Sequence, residues 1–117
     1  MKTLKKTVIM AAVLTGCCMG SMALAAEKEL VIGVSDALTG PGAVYGVPQF
    51  NAVQLAAEEI NAKGGIKAGA DNYKLKVIST DDKANPTEAT NAVRKLLDRD
   101  GVKYLLGFCC SGSTSAV

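Results

Sequence analysis

Short apolar runs alternate along this chain with longer segments whose apolar residues recur at helical spacing. That alternation constrains the fold more than any other feature. Leu30–Ser35 is a near-continuous apolar run, as expected of a strand covered on both faces. From Pro48 onward, Phe50, Val53, Ala57 and Ile60 recur at steps of three and four and fall on one helical face. Glu58, Glu59, Asn61 and Lys63 are then expected to face water, and Gly64-Gly65 to end the helix through a left-handed cap. Tyr73–Ile78 alternates apolar and lysine positions and is predicted to be a half-exposed strand at a sheet edge. Asn85, Pro86 and Glu88 form a helix-start signature, followed by the stripe Ala89, Ala92, Val93, Leu96 and Leu97 and the stop Gly101. Tyr104–Phe108 is a third strand, and Ser111–Thr114 opens a third helix.

The predicted fold class is therefore α/β, a parallel sheet with flanking helices in the order β-α-β-α-β. Three parallel strands need cover on both faces, which two helices and a stub do not supply. Residues 27–117 are accordingly expected to be the N-terminal piece of a longer protein and to fold poorly alone.

Residues 1–26 read as an export signal. Lys2, Lys5 and Lys6 precede the apolar run Thr7–Leu14, and small residues continue to Ala26. Ala23-Leu24-Ala25 offers one cleavage pattern. Leu14-Thr15-Gly16-Cys17 offers another, resembling a lipobox in which Cys17 would be lipidated. The apolar Cys18–Ala26 stretch makes a poor solvated tether, which favours soluble export to the periplasm over anchoring at Cys17. Those three lysines also distort the charge. Of 13 Lys and Arg they leave ten against 11 Asp and Glu, none of which precedes Glu27, a net of −1. Binding nucleic acid through a basic face is thereby disfavoured. The absence of His excludes Ser-His and Cys-His catalysis within the chain and most zinc sites.

Ligands of parallel sheets bind beyond the carboxyl ends of the strands. With the strand order 2-1-3, the loops Asp36–Gly46 and Cys109–Thr114 leave neighbouring strands and form one side of a crevice. Ser111 and Ser113 bring hydroxyls and backbone N–H groups to a helix start, which suits a carboxylate, although a simple cap is the commoner outcome for such residues. Tyr45 either covers a ligand's apolar part or packs on the surface. Cys109 and Cys110 could pair only in a strained ring, and they otherwise bond a distant cysteine or line a pocket. Asp81-Asp82 could take a metal or a sugar hydroxyl, although a solvated turn is the commoner outcome.

The stretches Ile32-Gly33-Val34, Leu38-Thr39-Gly40-Pro41, Tyr45-Gly46 and Ala56-Ala57-Glu58-Glu59-Ile60-Asn61 resemble the branched-chain amino-acid type of ABC-importer solute-binding proteins. Gly64-Gly65-Ile66, Asp81-Asp82, Pro86-Thr87-Glu88-Ala89 and Gly107 continue the resemblance over nearly all of residues 29–117. It implies part of the N-terminal lobe of a two-lobe, type I periplasmic binding fold, with ligand capture between the lobes and delivery to membrane ABC permease subunits. It further implies that Ser111 holds the ligand's α-carboxylate and that Tyr45, Cys109 and Cys110 line the pocket. Similar proteins bridge the cysteine at position 110 to one in the loop before the second helix, where this chain has Ala84. Relatives take branched-chain or other amino acids, short amides, urea or aromatic acids. A receptor's ligand-sensing ectodomain would share the fold. A dinucleotide-binding oxidoreductase fits less well, because Gly40, Gly42 and Gly46 are spaced G-x-G-x-x-x-G with Pro41 between the first two.

Overall fold

The computed structural model describes residues 27–117. The expected export signal and Cys17 lie outside them. Four strands and three helices follow in the order β1 (Glu27–Asp36), α1 (Ala43–Ala62), β2 (Ile66–Ala68), β3 (Asp71–Asp81), α2 (Pro86–Arg94), β4 (Tyr104–Gly107) and α3 (Ser111–Thr114). They form one sheet in the order β2-β3-β1-β4. β1 is central and parallel to β3 along its whole length, from Glu27 opposite Asn72 to Asp36 opposite Asp81, and parallel to β4 from Ile32 to Ser35. The predicted α/β class and the order of the three parallel strands are what the structure contains.

Three local expectations change. First, β3 is not the sheet edge. β2 pairs antiparallel with its start, Ile66 opposite Tyr73, through a two-residue turn in which Gly69 takes φ +62, as the first central position of a type II′ hairpin expects. The sheet is thus mostly, not wholly, parallel. Second, α1 begins at Ala43 and Pro48 lies inside it. Pro48 only deprives Val44 of an intrahelical donor. Gly42 and Gly46 before it serve close packing, since a Cβ on Gly46 would stand 2.1 Å from the Ala37 carbonyl oxygen. Third, α2 runs into a π-helical turn, Lys95–Arg99. The wider turn breaks the 3.6-residue stripe, so that Ala89, Ala92 and Leu96 are buried while Leu97 is 43% exposed.

The C-terminal half of β1, Gly33–Asp36, is buried. Neighbouring residues of a strand point to opposite faces, and β1 uses both. Ile32 and Leu75 lie with Val53, Ala57 and Ile60 of α1 around an apolar groove. A Cβ on Gly33 would stand 2.9 Å from Val102 and 3.2 Å from Leu96 on the α2 side. The helices therefore cover opposite faces.

The C-terminus of α1 closes as expected. Gly65 N–H donates to Ile60 O at 2.9 Å and Gly64 N–H to Asn61 O at 3.0 Å, with φ +86 and +103 at the two glycines, the Schellman pattern. Asn61 does not face water. Its Nδ2 donates to Leu75 O and its Oδ1 accepts from Leu75 N, both at 2.8 Å, docking the helix end on β3. At the start of α2, Asn85 Oδ1 accepts from the N–H groups of Thr87 and Glu88. The Asn85 N–H donates to Asp82 O rather than closing a box with Glu88.

Candidate functional site

Two loops meet beyond the carboxyl ends of β1 and β4, and Asp36 ties them together. This residue ends β1 and is completely buried. Its Oδ1 accepts from Cys109 N at 2.9 Å and from Ala37 N at 3.3 Å, and its Oδ2 is buried without a partner. Gly107, just before, has φ +131, and a Cβ there would stand 2.0 Å from Ser35 O. Glycine is thus required both for its backbone and for the close approach of β4 to β1.

Asp81 braces the first loop from the neighbouring strand. Its Oδ1 accepts from Leu38 N at 2.9 Å, Lys83 N at 3.0 Å and Thr39 N at 3.3 Å, and its Oδ2 accepts from the Thr39 hydroxyl. Burial acts to raise its pKa, but the Thr39 hydroxyl and these N–H groups outweigh that and hold the carboxyl below its ordinary value. Asp82 behaves oppositely. Burial raises it, against the Ala84 N–H that donates to Oδ1 at 2.8 Å and with the charges of Asp36 and Asp81 adding to the rise. Asp81-Asp82 is therefore neither a solvated turn nor an open metal site. One carboxylate organises a loop, and the other is buried at 1% exposure beneath it. Among the described residues no three His, Cys, Asp or Glu side chains gather as a metal ligand set.

Tyr45, in the first turn of α1, is 69% exposed. Cys109 and Cys110 are half-buried on the β4–α3 connection, with their sulfurs 3.4 Å apart and Cys109 Sγ 4.0 Å from Gly42 O. The two loops thus adjoin, as the strand order requires. Burial, opposed by the Ala37 N–H and reinforced by Cys110 and Asp36, pushes the Cys109 thiol up to about 11. A Cβ on Gly42 would lie 3.1 Å from the Ala84 methyl and 3.9 Å from Cys110 Sγ. Positions 84 and 110 therefore converge on one point, and no sulfur stands at 84.

Ser111 is the first residue of α3 and is exposed. Cys110, at the N-cap, makes no side-chain cap, so the first-turn N–H groups lack a capping side chain. Ser113 is different. It is fully buried, next to Asp82, and its hydroxyl makes no hydrogen bond of ordinary geometry.

Asp36 and Asp81 are the organising residues that the sequence reading missed. An acid closing a strand was visible in both cases. Their partners, Cys109 for Asp36 and Leu38 and Thr39 for Asp81, are 73, 43 and 42 residues away, and no local pattern names them.

Comparison with known proteins agrees with this geometry. Residues 29–117 match the sequence profile of a family described as periplasmic binding protein. The Leu/Ile/Val-binding protein of Escherichia coli (strain K12) is 39% identical over 106 residues, covering 88% of this chain and 27% of that protein. The leucine-specific-binding protein of Salmonella typhimurium is 35% identical over 114 residues, covering 97% of this chain and 28% of that protein. The chain thus spans about a quarter of the length of these curated relatives. Among solved structures, the branched-chain amino acid transporter substrate binding protein of Streptococcus pneumoniae, in complex with isoleucine, superposes with a TM-score of 0.70. It is 34% identical, over 76% of this chain and 24% of that one. A type 1 periplasmic binding protein of Bordetella pertussis gives a TM-score of 0.65 at 36% identity, over 77% of this chain and 23% of that one. The strand order, the paired loops and these matches agree, and the chain belongs to the periplasmic binding protein family.

Proposed function

We propose that this chain is part of the first lobe of an exported solute-binding protein that captures a small amino acid, branched-chain or related, for a membrane ABC importer. In this reading residues 1–26 are the export signal, the protein works in the periplasm, and its partners are the ligand and the permease subunits. It binds and releases without chemistry, and needs neither cofactor nor metal. The observation that carries the reading is the 39% identity to a Leu/Ile/Val-binding protein over 88% of this chain, with the family match running through both crevice loops.

Ser111 supplies a hydroxyl and a backbone N–H, and the first turn of α3 adds further N–H groups and the positive end of its dipole, all favourable to a carboxylate. Tyr45 and the Cys109–Cys110 pair border the same space, offering an aromatic ring and two soft, weakly polar sulfurs to an apolar ligand side chain. Ser113 contributes its backbone position at the helix start, because its side chain is buried.

Ser111→Ala in the complete gene product tests the assignment. A hydrogen bond to a charged group contributes about 1.5–3 kcal/mol, so affinity is expected to fall by roughly 10- to 150-fold with the melting temperature of the unliganded protein unchanged. Full affinity in the variant would remove Ser111 from the site.

A further inference from the structure

Cys109 and Cys110 make no covalent link in the fold. They are the cysteines among the described residues, and neither is bonded. Their sulfurs stand 3.4 Å apart, so a disulfide of about 2.05 Å needs an approach of about 1.4 Å. Across the loop, position 84, which with Cys110 flanks Gly42, is an alanine and offers no sulfur. Each thiol therefore has the other as its nearest reaction partner.

We propose that Cys109 and Cys110 form a reversible dithiol–disulfide pair in the wall of the crevice, closed by an external disulfide and reopened by thiols. Cys109 keeps its proton at neutral pH because its thiol is held near 11, and the first attack falls to Cys110. Its thiolate displaces one thiolate from the external disulfide and forms a mixed disulfide. Cys109, giving its proton to the released thiolate, then attacks the Cys110 sulfur and expels the second thiol. Two cysteine S–H bonds and one external S–S bond become one Cys109–Cys110 bond and two external thiols. Two electrons pass from the pair to the external disulfide.

Ring strain makes the step reversible. Adjacent Cα atoms are about 3.8 Å apart, inside the usual range of about 4.4–6.8 Å for disulfides. Strained disulfides have the more oxidising potentials and reopen readily. Closure also turns the torsions next to the Asp36–Cys109 hydrogen bond and the extended N-cap Cys110 (φ −124, ψ 130), immediately before Ser111. The redox state of the pair thus resets the start of α3. Its effect on ligand affinity rests on the function proposed above, whereas the redox chemistry does not.

The test uses the complete, reduced gene product, exposed to excess oxidised glutathione, alkylated and peptide-mapped. The expected peptide carries both residues unalkylated and is lighter by two hydrogens, and reduced glutathione restores it. Two alkylated cysteines, stable glutathione adducts on the wild-type pair, a bond from either residue to another cysteine, or a ring that resists excess reduced glutathione would each overturn the proposal. In Cys109→Ser, Cys110 is expected to remain as a glutathione adduct for want of a resolving thiol, and its failure to do so would contradict the order of attack. Titration of isoleucine into the dithiol and disulfide forms reads the coupling separately. Different dissociation constants support it and equal ones overturn it, while a ring formed in a protein that binds no amino acid refutes the proposed ligand and leaves the redox pair standing.

Discussion

At the edge of β3, Asn61 occupies the place that another backbone would take in a longer ladder. β2 stops pairing at Tyr73, and the Leu75 N–H and C=O on that side turn to the Asn61 amide instead. Asn61→Ala would leave both groups unpaired where Leu75 is 9% exposed. A loss of about 1–3 kcal/mol is expected, read as a lower urea midpoint with an unchanged slope. The neighbouring acids Asp81 and Asp82 carry opposite pH signatures. Asp82 has a folded pKa above its unfolded value, so stability falls as pH rises from about 4 through the folded pKa and then levels. Asp81 has a folded pKa below its unfolded value, so its contribution is present above about 4 and lost as pH falls through the folded value. Asp82→Asn, which keeps an oxygen for the Ala84 N–H, should therefore be more stable than wild type at pH 7, the gain vanishing below pH 4. Parallel curves of unfolding free energy against pH would refute the burial argument.

Elements were legible where a single local signal decided them. The Asn85-Pro86 start and the Gly64-Gly65 stop needed only neighbours within a turn and stand as read, whereas the stripe keeps Ala89, Ala92 and Leu96 buried and loses Leu97 to the π-helical turn. What was hidden depends on distant packing. Gly42 and Gly46 look like loop residues in sequence, yet they are small because α1 crosses Ala37 at contact distance. The three exposed residues of β2 have no core pattern to announce them. The site followed the same division. The pairing of the two loops came from the strand order, while the burial of Ser113 and the bracing by Asp36 and Asp81 came from contacts between elements. Gly46→Ala should distort the α1 start, because its methyl would meet the Ala37 backbone at 2.1 Å. Overpacking of this kind costs about 1–3 kcal/mol or more, measurable as a lower melting temperature. Ala84→Cys should bond Cys110, which lies toward the same point. Closing that loop is expected to add about 2–4 kcal/mol under oxidising conditions, and an unchanged oxidised melt would show that the two positions do not meet.

Across the whole molecule, apolar surface remains open on the α1 side of the sheet. Tyr104 and Leu106 of the edge strand β4 are 58% and 45% exposed, and Leu106 borders the groove between α1 and β1. The loops at the carboxyl end of the same sheet are braced by the buried Asp36 and the half-buried Asp81. The direct test is a thermal melt of the complete mature gene product with single amino acids, short amides, urea and aromatic acids. A ligand present at about a hundred times its dissociation constant adds about 2.7 kcal/mol of stability. The account predicts a clear upward shift with branched-chain or closely related amino acids and none with their des-carboxy amines. A protein that melts cooperatively and shifts with no amino acid would contradict amino-acid capture, whatever its fold.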